Sequence, residues 1–132
     1  LWSYLSFSYQ KSRYQNSNAN VVNSPEYMIK GGVSYNLSEY LYIGIDIDIE
    51  SERMTVYNTW TKPFIINNLS FSFLPPQNTS NTEERFLNRL NISLKINNLF
   101  DVQYELPGGP EHRQNALLQN GANFIIETSI KF

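Results

Sequence analysis

Polar and apolar residues alternate one by one along much of this chain. The clearest run is residues 41–50, where Leu41, Ile43, Ile45, Ile47 and Ile49 fall on one face and Asp46, Asp48 and Glu50 on the other. A repeat of two is the repeat of a β-strand, whose successive side chains leave opposite sides of the backbone. Residues 90–97 follow it equally well, with Leu90, Ile92, Leu94 and Ile96 set against Asn91, Ser93, Lys95 and Asn97. Four more segments follow it less regularly. They are Leu5, Phe7 and Tyr9; Tyr27, Ile29, Gly31, Val33 and Tyr35; Leu69, Phe71 and Phe73; and Phe124, Ile126, Ile130 and Phe132, with Ile125 and Thr128 as interruptions. Leu and Ile do not recur at helical spacing. The pattern predicts an all-β chain of about six strands, each with one dry face and one wet face.

The connections carry a second signal. Residues 36–39 form a tight turn between the second and third strands, whereas 14–25, 53–63 and 105–120 are long and polar. Short turns on one edge and long loops on the other are the pattern of an up-and-down outer-membrane barrel. The connection at 75–86 departs from it, being a long Pro-Pro-Gln-Asn-Thr-Ser stretch where a short turn is expected.

Composition narrows the class. The 132 residues are enough for one compact unit, 31 of them are Asn or Ser, and 19 are aromatic, which suits strands joined by wet turns. With ten basic against twelve acidic side chains and no basic run, the positive stripe that grips a phosphate backbone is missing, so nucleic acid is not an expected partner. The absence of cysteine removes disulfides, thiolate metal sites and a Cys nucleophile. Strictly apolar runs such as Phe64-Ile65-Ile66 are far shorter than the roughly 20 residues of a spanning helix. The chain starts at Leu1 without a leader, and a fragment of a longer protein is expected.

A sheet with one dry face can pack into a soluble sandwich or face hydrocarbon as a membrane barrel. Three features favour the membrane. Alternation over ten residues at 41–50 matches the roughly 9 to 11 residues that cross a tilted bilayer. Tyr35, Tyr40, Tyr42, Tyr57 and Trp60 gather near strand ends, as interfacial aromatics do. Asp46, Asp48 and Glu50 stack like charges on one face, which a hydrated lumen accepts and a packed core does not, with Lys30 and Lys95 available to compensate. Single-chain bacterial barrels need about eight strands or more, so about six close a barrel only if copies of the chain assemble, and the last part of a larger barrel is the preferred reading.

Particular residues agree with this. The segment Asn98-Leu99-Phe100-Asp101-Val102-Gln103-Tyr104, then Pro107-Gly108-Gly109, then a last strand ending on Phe132, resembles the C-terminal end of TonB-dependent outer-membrane receptors. Asn23-Ser24-Pro25-Glu26-Tyr27, Tyr35 and Ser51-Glu52-Arg53 are similar to that family's spacing, and the resemblance covers nearly the whole chain. Gly121-Ala122 stands where the family usually has Gly-Arg. The resemblance implies a barrel of about 22 strands around a plug. It also implies outer-membrane uptake of a scarce small molecule (a ferric siderophore, haem, cobalamin or a glycan) driven through the TonB complex. Neither plug nor TonB box is present. The terminal strand, with Phe124, Ile126, Ile130 and Phe132 toward lipid, looks like the signal read by the barrel-assembly machinery.

Candidate chemistry is sparse. His112 is the only histidine and sits among loop residues, so a triad or multi-histidine metal site has no second member. Arg53 and Arg113 on long loops could grip an anionic siderophore or sugar acid by paired hydrogen bonds, and His112 could touch haem or a metal from its outer loop; solvated loop side chains are the plainer reading. The ladder Asp46, Asp48, Glu50 and Glu52 spaces carboxylates about 6.5 to 7 Å apart, too straight to converge on a calcium ion. Asn98 and Asp101 read as turn or bulge residues accepting local backbone hydrogen bonds. The expectation is a transporter without catalysis, cofactor or metal. The alternatives are a carbohydrate-binding β-sandwich, soluble or surface-attached, and a passive porin.

Overall fold

The computed structural model describes residues 1–15, 19–75 and 89–130. Among these residues eight strands form: β1 (Trp2–Tyr9), β2 (Tyr27–Asn36), β3 (Leu41–Glu50), β4 (Phe64–Phe73), β5 (Leu90–Asn97), β6 (Glu105–Pro107), β7 (Ala116–Leu118) and β8 (Asn123–Ile130). Six of them make one antiparallel sheet in the order β1-β2-β3-β4-β5-β8, and β6 pairs with β7 as a separate hairpin. Every neighbour in the large sheet is antiparallel. The sheet is a meander in which consecutive strands pair, apart from the hairpin inserted before β8.

Register aligns the faces. Ile45 lies opposite Val33 and Leu69, Phe71 opposite Leu94, and Leu94 opposite Ile126, so the apolar sets of adjacent strands share one side. A slip of one residue anywhere would mix the two sets. On the other side several opposed pairs are polar, Lys30 with Asp48, Asp46 with Asn68 and Ser72 with Ser93, with Ile66 opposite Asp48 and Ile125 opposite Lys95 as interruptions. Ser3, Asn67 and Thr128 are polar residues on the apolar side, opposite Val33, Ile47 and Ile92.

No second layer covers the apolar side among the described residues. Ile45 is 54% exposed and Phe124 70%, and among the described residues Ile66, on the polar side, is the one buried aliphatic or aromatic side chain. A sandwich predicts two apolar faces in contact, and no such pairing exists among the described residues. Burial concentrates instead at the end of the sheet carrying residues 51–63 and 98–122, where Glu50, Ser51, Thr55, Thr61 and Asn98 are buried.

Several expectations need correction. The segment 105–120 is not plain loop, since β6 and β7 pair there, Glu105 opposite Leu118 and Pro107 opposite Ala116. Three-residue strands are too short to leave a periodic trace. Tyr42 lies opposite Asn36 and Ser72, on the polar side, and not with an aromatic rim on the apolar one. Lys95 does not compensate the carboxylate ladder: it lies opposite Ser70, one strand away, and makes no ion pair among the described residues. The connection at 75–86 and the terminal Phe132 lie, wholly or nearly so, outside the described residues.

Candidate ligand cleft at the long-loop end

Three local structures build this end. Beyond β3 the chain makes a narrow loop in which Thr61 N–H donates to Arg53 O at 3.0 Å and Thr55 N–H donates to Thr59 O at 2.8 Å. Thr59 N–H in turn donates to Thr55 Oγ1 at 3.2 Å, and Asn58 takes φ 60, a left-handed conformation that Asn tolerates well. Ser51 Oγ accepts the N–H groups of Glu26 and Tyr27 at 2.8 and 3.3 Å, tying this loop to the start of β2.

Arg53 stands inside this knot. Its guanidinium meets Glu50 two-pronged, Nε to Oε1 and Nη2 to Oε2 at 2.6 Å, and its Nη1 donates to Asn23 Oδ1 at 2.8 Å. With the Glu50 side chain 8% exposed and that of Arg53 18%, the pair is shielded, and removing one member leaves a buried charge. Arg53 is therefore spent on structure and is not a free grip for an anion.

The second structure is the turn after β5. Asn98, 3% exposed and at φ 51, accepts Val102 N–H at Oδ1 and donates from Nδ2 to Val102 O, both at 2.9 Å. Its own N–H donates to Asn68 Oδ1 at 3.0 Å. Asp101, at φ 52, accepts Ala122 N–H at 2.8 Å, fastening the turn to the approach of β8. A Cβ on Gly121 would strike that carboxylate, which explains glycine there. Leu99 and Phe100 are exposed.

The third is the β6–β7 hairpin, which folds over the polar side of the sheet. The Tyr104 ring lies 4.4 Å from that of Phe64, and Asn115 Nδ2 donates to Thr59 Oγ1. Beneath it lies an open cleft of about 460 Å³ bordered by Asp48, Glu50, Arg53, Phe64, Ile66, Asn68, Asn97, Asn98, Tyr104, Leu106, Gln119, Asn120 and Asn123. A neighbouring cleft of about 390 Å³ lies among Lys11, Arg13, Glu26, Glu52 and Trp60.

His112 and Arg113 border neither of these clefts. Both are exposed in the turn of the hairpin, His112 Nε2 lying 3.5 Å from Glu111 Oε1. Phe124, Ile126 and Ile130 of β8 are exposed on the apolar side, opposite Ile96, Leu94 and Leu90. The carboxylate ladder is resolved into separate partners: Asp46 accepts Tyr4 O–H at 2.9 Å, Asp48 pairs with Lys30 at 2.9 Å, and Glu50 holds Arg53. No group of three or more metal-ligating His, Asp or Glu residues exists among the described residues. The sequence left Tyr4 and Asn115 unremarked and gave Tyr104 only as part of the family-like segment, because their contacts depend on strand register and on the fold of the hairpin.

No family model matches the chain, and comparison with curated proteins and with solved structures gives no match either.

Proposed function

We propose that this chain is wall from the C-terminal part of an outer-membrane β-barrel, and that the barrel is an active importer of the TonB-dependent receptor kind. One observation carries the reading: a largely apolar face runs across six antiparallel strands with no protein layer over it among the described residues, while the opposite face is mostly polar and sheltered by an inward-folded hairpin. An exposed apolar patch of that extent calls for hydrocarbon or a partner. Strands of eight to ten residues suit a tilted crossing of the bilayer. The Asn98–Asp101 turn and the final aromatic strand support the particular kind of barrel.

In this reading lipid wets Ile45, Leu94 and Phe124, and the last strand engages the assembly machinery. The loop end captures a small molecule, and a plug elsewhere in the polypeptide couples to TonB. The chemistry is binding and passage, with no covalent step. The full-length product is expected in the outer-membrane fraction, resistant to extraction by alkaline carbonate, with ligand uptake abolished by collapse of the inner-membrane proton gradient. Recovery as a monodisperse species in detergent-free buffer contradicts the membrane assignment. Uptake that persists without the gradient points to passive flow.

A further inference from the structure

We infer that Asn120 is a self-modifying site: its side-chain amide is lost as ammonia through a cyclic imide formed with the Gly121 nitrogen, and the product loosens the turn that fastens β8. The reaction goes beyond the importer reading and does not depend on what the apolar face contacts. Asn120-Gly121 is the one Asn-Gly pair in the chain. Glycine puts no Cβ beside its own nitrogen, so Asn120 Cγ can approach it unhindered and the backbone turns freely enough to close a five-membered ring.

The surroundings single this asparagine out. Asn120 is exposed, its side chain makes no hydrogen bond among the described residues, and the Gly121 N–H donates to no group there either. The nearest asparagines along the chain are tied. Asn115 Nδ2 donates to Thr59 Oγ1, and Asn123 donates from Nδ2 to Gly121 O at 3.1 Å while its Oδ1 accepts from Asn97 Nδ2 at 2.9 Å. Buried Asn98 has both side-chain polar atoms engaged with Val102. Each of these must break a hydrogen bond before its Cγ can turn toward the following nitrogen, and Asn120 has none to break.

The atoms balance with water alone. The Gly121 nitrogen gives its proton to solvent and attacks Asn120 Cγ; the Cγ–Nδ2 bond breaks and Nδ2 leaves as ammonia. One water then opens the imide. Cleavage between the ring nitrogen and Cγ gives aspartate, and cleavage between that nitrogen and the backbone carbonyl carbon gives isoaspartate, whose chain runs through the side chain. Nothing is oxidised or reduced. Because the deprotonated nitrogen attacks, the reaction quickens as pH rises.

Either product lands on the clamp. Asn120 O accepts Asn98 Nδ2 at 3.4 Å, and Asp101 Oδ1 accepts Ala122 N–H at 2.8 Å while standing where a Cβ on Gly121 would be. Aspartate adds a like charge to a loop that already holds the Asp101 carboxylate. Isoaspartate turns the carbonyl that Asn98 holds into a branch carboxylate and lengthens the chain by a methylene before Ala122.

The test ages the full-length protein, folded in lipid nanodiscs, in heavy-oxygen water at neutral and at mildly alkaline pH. Trypsin then releases residues 114–131, between Arg113 and Lys131, for fragmentation mass spectrometry. That peptide carries Asn115, Asn120 and Asn123 as mutual references. Asn120 is expected to lose its amide about tenfold faster than either of the others, through the glycine it precedes and the hydrogen bonds they keep, and faster still at the higher pH. Protease cleavage at 98–104 is expected to rise with the deamidated fraction. Asn120→Gln, whose longer side chain closes a ring poorly, is expected to stop the change and keep the turn protected. Equal rates at the three asparagines overturn the inference, as does an Asn120 that survives in the folded protein while the excised peptide loses its amide. Deamidation without altered cleavage at 98–104 overturns the effect on the turn.

Discussion

The hydroxyl of Tyr4 donates to Asp46 Oδ1 at 2.9 Å across Gly32, the residue paired with both of them in the intervening strand. The phenol ring occupies the space that a side chain on β2 would take, since a Cβ at position 32 would meet both the ring and the carboxylate. A side chain from the adjacent strand thus covers the glycine, as aromatic side chains do for glycines in sheets. Gly32→Val is expected to push Tyr4 off and destabilise β1 by about 1 to 3 kcal/mol. Tyr4→Phe, which keeps the ring, is expected to cost no more than about 1 kcal/mol. Thermal unfolding of the full chain separates the two; equal losses would mean the ring position is unimportant.

Glu50 and Arg53 join the end of β3 to the loop that borders the cleft. Arg53→Met strands a carboxylate with an 8% exposed side chain and is expected to cost about 3 to 5 kcal/mol. Adding Glu50→Leu is expected to recover most of that, because an apolar pair removes the uncompensated charge. Denaturation midpoints of the single and double variants check it, and a double variant no better than the single would mean that the Asn23 contact dominates.

Asn98 combines left-handed backbone with hydrogen bonds to both polar groups of Val102. Asn98→Ala is expected to lose about 2 to 4 kcal/mol, since it strands those groups and keeps the backbone cost. Asn98→Gly relieves only the backbone and is expected to fall between the two. Protease sensitivity at 98–104 reports the turn directly.

The strand faces could be read from the sequence because a period of two encodes them residue by residue, and every long strand found there is present. Individual partners could not. Lys30 and Lys95 look equivalent as counter-ions to the ladder, yet register places Lys30 opposite Asp48 and Lys95 a strand too far. Arg53 looks like an exposed loop charge until the loop folds its guanidinium back onto Glu50. The β6–β7 hairpin, which creates the cleft, consists of two strands of three residues, Glu105-Leu106-Pro107 and Ala116-Leu117-Leu118, too short to show a repeat of two. Asn98 was accessible to sequence reasoning because turn residues carry their own hydrogen-bonding logic, whereas the Asp101 carboxylate accepts from Ala122, 21 residues along the chain, a partner that no local pattern gives.

A cation on the apolar side tests what that side faces. Ile45→Lys and Leu94→Lys are expected to block assembly into the membrane, each costing about 2 to 4 kcal/mol near the bilayer midplane. Ser93→Lys, on the polar side opposite Ser72, is expected to be tolerated. Quantifying folded barrel in the outer-membrane fraction checks all three, and equal damage from both faces would indicate a packed protein core.

The most direct measurement is a nitroxide scan of positions 41–50 in the full-length protein, reconstituted in lipid. These residues contain no cysteine, so each label reports a single site there. The account predicts that collision with oxygen peaks at 41, 43, 45, 47 and 49, while collision with a water-soluble nickel chelate peaks at the even positions. Odd positions shielded from both reagents would place another protein layer on the apolar face and contradict the account.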